Sequence, residues 1–179
     1  NRVWFDANNN GLIYTGETPF DNVTVDLYLD ANADGVADTA TVLATTTTAS
    51  GGYYRFDNLG ATNYVVKINA SNFSGAGVLT NHLSSTPTEA SPNSDIDSND
   101  NGINDANPAT NGIWSGTIAL GPGTSEPSGE TDLSGGQGTD DNRANMTVDF
   151  GFYLPYSLGN RVWFDANNNG LIDTGETPF

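Results

Sequence analysis

The sequence predicts an all-β fold, an antiparallel β-sandwich with long loops, and three observations lead there. Apolar residues alternate at period two along several short runs, turn residues punctuate those runs, and no stretch shows helical spacing. About seven short strands with turns between them fit two sheets packed face to face.

Val3 to Phe5 opens the set. In Val23-Thr24-Val25-Asp26-Leu27-Tyr28-Leu29 the odd positions are aliphatic and the even ones largely polar, the pattern of a half-buried strand. Thr41 to Thr48 is β-branched and suits an edge strand. Tyr53 to Phe56, Tyr64 to Ile68, Ile113 to Leu120 and Met146 to Tyr153 supply the rest, with turns at Gly51-Gly52 and Asn58-Leu59-Gly60. Two polar stretches rich in Pro, Asn and Asp, Ser84 to Asp105 and Gly121 to Asn142, read as loops. Loops of that length in a compact domain need something else to order them.

Composition narrows the function. The 179 residues carry 22 acids against 5 bases, a formal charge of −17, with no cysteine. Nucleic acid and anionic membrane present like charge and are excluded as partners, and cations are the natural complement. Without cysteine there are no disulfide staples, no thiol catalysis and no thiolate-bound zinc. With 36% apolar and 10% aromatic residues the chain is lean but not disordered. No apolar run approaches the ~18 residues of a membrane span. The chain opens mid-pattern at Asn1-Arg2-Val3-Trp4, so any export signal is expected outside this stretch.

The two ends match. Residues 1–20 read NRVWFDANNNGLIYTGETPF and residues 160–179 read NRVWFDANNNGLIDTGETPF, at an offset of 159 residues, with Tyr14 against Asp173 the one difference. The chain therefore divides into a β-sandwich repeat over 1–153, a short linker over 154–159, and the first segment of a second period over 160–179. The linker holds a proline and a tyrosine and is no Gly/Ser tether, so neighbouring units should sit close. The expected partners are neighbouring copies of the same repeat, head to tail, either along one tandem polypeptide or by strand exchange between separate chains.

Acidic loops supply the reason the long excursions could be ordered. Asp6-x-Asn8-x-Asn10-Gly11-x5-Glu17 places oxygen ligands at positions 1, 3, 5 and 12 of a calcium loop, with the carbonyl of Leu12 at position 7. The second copy repeats this as Asp165, Asn167, Asn169 and Glu176, and adds Asp173 at position 9, where Tyr14 stands in the first. A second loop reads Asp30-x-Asn32-x-Asp34-Gly35-Val36-x-Asp38, and a third reads Asp97-x-Asn99-x-Asn101-Gly102-Ile103-x-Asp105. Both end on an acid at position 9 and need a distant side chain or water to complete them; Asp95 and Asp100 are candidates near the third. The residue frequencies predict roughly 0.1 chance occurrences of the D-x-[DN]-x-[DN]-G core, against three distinct loops present. Oxygen-only, flexible ligand sets suit Ca²⁺ better than Mg²⁺, and about three ions per repeat are expected. Within residues 1–159 there are 19 acids and 4 bases, so three Ca²⁺ would bring −15 to −9. The helices that flank an EF-hand loop are not predicted, so these are calcium loops set in β structure.

The run Ser157-Leu158-Gly159-Asn160-Arg161-Val162-Trp163-Phe164-Asp165 and its loop through Glu176 resembles the opening of the SdrD B-like domain, the calcium-binding repeat of bacterial surface adhesins. Gly52-Tyr53-Tyr54-Arg55-Phe56-Asp57-Asn58-Leu59 with Tyr64-Val65-Val66 is similar to the middle of that family, and Asp149-Phe150-Gly151-Phe152 to its close. The resemblance implies an immunoglobulin-like, Greek-key sandwich, extracellular or on a bacterial cell surface, stiffened by calcium and arrayed as a stalk. It implies ligand roles for Asp6, Asn8, Asn10, Glu17 and their second-copy counterparts. Some relatives carry a lysine isopeptide cross-link; Lys67 is the only lysine and none lies in the opening strand, so none is expected here.

The expected function is thus a calcium-stiffened structural repeat of an extracellular filament or adhesin stalk. The alternative is an adhesin module that binds a host protein or glycan. An enzyme is not expected: His82 is the sole histidine, no nucleophile elbow is present, and the acids are already assigned to metal.

Overall fold

The computed structural model describes residues 1–86, 91–94, 96–122, 127 and 143–179. Most of the expected loop over Gly121 to Asn142, and Asp95, lie outside them.

Ten short strands form in chain order: β1 (Val3–Phe5), β2 (Thr18–Pro19), β3 (Thr24–Leu29), β4 (Ala44–Thr47), β5 (Thr62–Ile68), β6 (Leu83–Ser84), β7 (Gly102–Ile103), β8 (Ile113–Ser115), β9 (Ile118–Leu120) and β10 (Phe150–Tyr153), counted among the described residues. One sheet runs β2-β1-β10-β6, and the other β4-β3-β5-β8-β7 with β9 also on β5. The sheets face each other across a common core. Val3, Phe150 and Phe152 come from the first; Val25, Leu27, Val66, Ile68, Ile113 and Ile118 come from the second. The fold is the all-β sandwich that the alternation predicts.

The β3 register shows why. Val25 and Leu27 point inward and are buried, pairing with Ile68 and Val66 of β5. On the opposite face Asp26 accepts from Thr45 Oγ1 at 2.7 Å and Asn69 Nδ2 at 2.6 Å, while Tyr28 lies 5.0 Å from the Trp114 ring. Both faces of this strand are therefore covered. β4 pairs only with β3, as an edge strand should.

Several expectations are corrected. Tyr53 to Phe56 is not a strand: Gly51 and Gly52, at φ 101° and 83°, turn the chain so that Tyr53 makes only isolated bridges, to Arg2 and Ala49. Tyr54 is buried all the same, its hydroxyl donating to Val148 O at 2.8 Å. Ile113 to Leu120 breaks at Gly116-Thr117 into β8 and β9, both paired along β5. Only Phe150–Tyr153 of the Met146 run forms a strand, and β1 pairs with it in parallel, Val3 opposite Phe150. Among the described residues two single helical turns form where none is expected, a 3₁₀ turn over Ala70–Phe73 and α1 (Pro108–Asn111), the latter with proline at its start.

Candidate metal centres

Two strands each deliver the first acid of a loop at their C-terminal ends. Asp6 follows β1 and Asp30 follows β3, and both are 0% exposed. The chain then folds back over each carboxylate because Asn9 and Ala33 adopt left-handed backbone, at φ 55° and 59°, followed by Gly11 and Gly35 at 74° and 80°. The glycine matters in each loop, since a side chain there would be strained.

The outcome is the same turn twice. Asn10 N donates to Asp6 Oδ1 at 3.2 Å and Gly11 N to Oδ2 at 2.7 Å; Asp34 N donates to Asp30 Oδ1 at 3.1 Å and Gly35 N to Oδ2 at 3.1 Å. Glu17 closes the first loop, accepting from Ala7 N and Tyr14 N, each at 3.0 Å. Asp38 closes the second by accepting from Ala31 N at 2.8 Å. Inside them Asn10 Oδ1 accepts from Leu12 N, and Asp34 Oδ1 from Val36 N. Asn32 donates to Asp34 Oδ2 at 2.9 Å, and Asn8 is exposed.

The terminal copy takes this shape without a sheet beside it. Asn169 N and Gly170 N donate to the two oxygens of Asp165 at 3.1 and 2.8 Å, and Ala166 N and Asp173 N to Glu176 at 2.9 Å each. Asp173 also accepts from Asn167 and Asn169 side chains at 2.8 and 2.7 Å, which hold its carboxyl below the usual range. Tyr14 cannot make those bonds.

The third segment is built differently. Gly102 and Ile103 are drawn out as β7 against Ser115 and Trp114, so the chain cannot close over Asp97. Asn101 is buried, its Oδ1 accepting from Asp149 N at 2.7 Å, and Asn99 bridges Leu12 of the first loop. Asp105 turns away to accept from Asn107 N and Asn111 Nδ2 at the start and end of α1. Asn101 N donates to Asp149 O and Gly102 N to Asp100 Oδ1 rather than to Asp97, so this segment does not form the turn of the other loops.

Two partners were missed in the sequence. Thr117 Oγ1 donates to Asp30 Oδ2 at 2.7 Å from 87 residues away, with no local signal to reveal it. Asp149 lies buried beside Asp97 and accepts from Arg2 N at 2.7 Å and Ser98 N at 2.9 Å. Burial pushes its carboxyl well above the usual range; the amino terminus opposes this and Asp97 adds to it. An acid between Val148 and Phe150 in an apolar run was the available clue.

The donor chemistry favours a hard cation in the first, second and terminal loops. The one ion pair among the described residues is Arg55 with Asp57 at 2.9 Å, so no basic side chain neutralises the loop carboxylates. Among the described residues no three acids or histidines converge, and each loop instead mixes carboxylates with amide and carbonyl oxygens. His82 is a packing residue, edge-on to Phe5 and Phe20 at 5.8 and 5.2 Å. Lys67 lies over the Trp114 ring at 4.6 Å.

Fold and loops together define an immunoglobulin-like β-sandwich repeat with acid-and-asparagine loops at its strand ends. The SdrD B-like domain family matches residues 1–111, and the chain belongs to it. It is 33% identical to Colossin-B of Dictyostelium discoideum over 98% of this chain and 4% of that protein. It is 31% identical to serine-aspartate repeat-containing protein D of Staphylococcus aureus strain Newman over 97% of this chain and 10% of that protein. Serine-aspartate repeat-containing protein F of Staphylococcus epidermidis is 29% identical over 97% of this chain and 8% of its own length. The chain thus spans a tenth or less of these relatives.

Proposed function

We propose that this chain is a calcium-stiffened structural repeat of an extracellular filament or cell-surface stalk. The observation that carries the reading is the shared turn of the first, second and terminal loops, in which position-1 carboxylates are gripped by main-chain N–H groups while, among the described residues, no basic side chain pairs with them.

Asp6, Asn8, Asn10, Leu12 and Glu17 would hold one ion, and Asp30, Asn32, Asp34, Val36 and Asp38 another, with Thr117 steadying Asp30. A third ion is assigned beside Asp97 and Asp149, whose carboxyl groups interact among the described residues, rather than to Asp105. The ions supply positive charge, which removes the repulsion among carboxylates and ties each loop to its strand end. Stiffening follows from a contact already in place: Ile13 N donates to Ser98 O at 3.0 Å and Asp100 N to Gly11 O at 2.9 Å, so ordering the first loop orders the third segment.

Chains of two or more periods test this. Chelation should lower the melting temperature and increase flexibility by small-angle scattering, and added Ca²⁺ should restore both. Stability and scattering unchanged by EDTA would refute it.

A further inference from the structure

A strand at the edge of a sheet leaves a row of main-chain N–H and C=O groups unpaired, and folded proteins blunt such edges to keep other chains off. Among the described residues the free edges belong to β2, β4, β6, β7 and β9. Four of them are blunted. β2, β6 and β7 are two residues long, and β2 carries Pro19. Asn93 covers β9, accepting from Ala119 N and donating to Thr117 O, each at 2.8 Å. β4 has none of these protections. It runs four residues, pairs with β3 alone, and lies within residues 39–54, a stretch without a charged side chain or a proline.

The register shows which groups face outward. Thr48 N donates to Val23 O at 2.9 Å, so by the alternation of an antiparallel ladder the main-chain groups of Ala44, Thr46 and Thr48 face β3. Those of Thr45 and Thr47 face away from it, and both residues are exposed. Asp26, opposite Thr45 in the ladder, is 3% exposed and accepts from Thr45 Oγ1 and Asn69 Nδ2, so its charge is not presented at this edge.

We propose that β4 is a self-pairing edge, along which a second copy of this chain adds its own β4, antiparallel, about a twofold axis at Thr46. The arrangement is self-complementary. With Thr46 facing its counterpart, Thr45 stands opposite Thr47 of the second copy and Thr47 opposite Thr45 of that copy. The outward residues then exchange four main-chain hydrogen bonds, and the two sheets become one. Charge selects the same partner. Two chains of formal charge −17 repel wherever acids face acids, and an uncharged edge is where they can meet. A cationic partner is drawn to the acidic loops instead. Val42 and Leu43, 40% and 52% exposed, lead into the strand and add apolar surface to this edge. The pairing is lateral, so it goes beyond the head-to-tail stalk and needs neither that reading nor calcium.

So short an edge buries less than a standard interface, and the full chain should dimerise only toward millimolar concentration in sedimentation velocity. Added salt should strengthen the dimer, because it screens the like charges and spares the main-chain bonds. Thr47→Pro removes an outward N–H and no bond to β3, the placement in which an edge strand tolerates proline, and should weaken the dimer about tenfold or more. The chain has no cysteine, so Thr46→Cys reports the axis directly. Facing residues of a non-hydrogen-bonded antiparallel pair are close enough for a disulfide. Mild oxidation should therefore link Thr46→Cys chains several times faster than chains with Thr110→Cys, exposed on α1, and adding Thr47→Pro should abolish the difference. Should Thr47→Pro unfold, the two cysteine variants decide alone. A wild-type chain that stays monomeric, a dimer that weakens with salt, a folded Thr47→Pro chain that dimerises like the wild type, or equal linking of the two cysteine variants would overturn the proposal.

Discussion

Val3→Ala and Val162→Ala make the same chemical change in the same sequence context, yet the structure gives them different consequences. Val3 is 0% exposed, packed in the core cluster between the sheets. Its truncation loses about 0.8 kcal/mol for each buried carbon removed, plus a cavity term, giving about 2–3 kcal/mol in all. Val162 is 69% exposed, and a surface truncation costs at most about 0.5 kcal/mol. At roughly 2–4 °C per kcal/mol for a domain of this size, Val3→Ala should lower the melting temperature by about 4–12 °C and Val162→Ala by under about 2 °C. Thermal unfolding followed by far-ultraviolet circular dichroism, at dilution where the chain is monomeric, measures both. Equal losses, or a larger loss for Val162→Ala, would mean that the terminal copy fills the slot, and the assignment of β1 would be wrong.

Three further outcomes are expected. Gly52→Ala should cost about 2–4 kcal/mol in urea unfolding, because a Cβ there collides with Val3 O with φ at +83°, whereas Gly16→Ala, at φ +104° in open space, should cost only about 1–2 kcal/mol. Asp30→Asn should remove one bound Ca²⁺ per chain by calorimetric titration, and Asp105→Asn should remove none, since Asp105 serves α1. In the chelated protein Asp149 should make stability fall as pH rises: its folded carboxyl keeps a proton that the unfolded chain has already released above the ordinary carboxylate range, so its favourable contribution is complete below that range and is lost through its raised pKa. Saturating Ca²⁺ should flatten that slope, and a stability that rises with pH in EDTA over the same interval would contradict the assignment.

What the sequence revealed and what it hid divide along local and distant physics. Alternation in Val23 to Leu29 found β3 because the core lies on one side of it, and the side-chain period reports that directly. Tyr53 to Phe56 has the composition of a strand, but Tyr54 is buried through a turn at Gly51-Gly52 rather than a ladder, and burial alone leaves the same aromatic signature. Parallel pairing of β1 with β10 joins residues 147 apart, and no local pattern encodes it. The loops divide the same way. Asp6 and Asp30 close their turns with N–H groups four and five residues on, so spacing predicts them well. The third segment has equal spacing, but pairing of Gly102 with Ser115 stretches it into β7, and a distant strand decides where its oxygens point.

Placing an acidic loop inside the same 20 residues as the first strand has a physical consequence for any assembly of these repeats. The strand supplies the apolar anchor, Val3 and Trp4, and the loop that follows reaches across to the third segment through Gly11, Leu12 and Ile13. Whatever sets that loop therefore also fixes the strand's exit and the segment from Ser98 to Asp100, which in turn meets β10 through Asp100 and Gly151 at 3.0 Å. Since Tyr153 ends β10 and the expected linker begins at Leu154, a cation held in the first loop would act one strand away from the path to a following unit. Rigidity at that junction should respond to the first loop more than to the second, whose Asp30 is braced by Thr117 beside β9. Glu17→Gln in each unit of a two-period chain should accordingly loosen the junction by small-angle scattering, and Asp38→Asn should leave it unchanged. Equal loosening by both would place the stiffening in overall charge rather than in this connection.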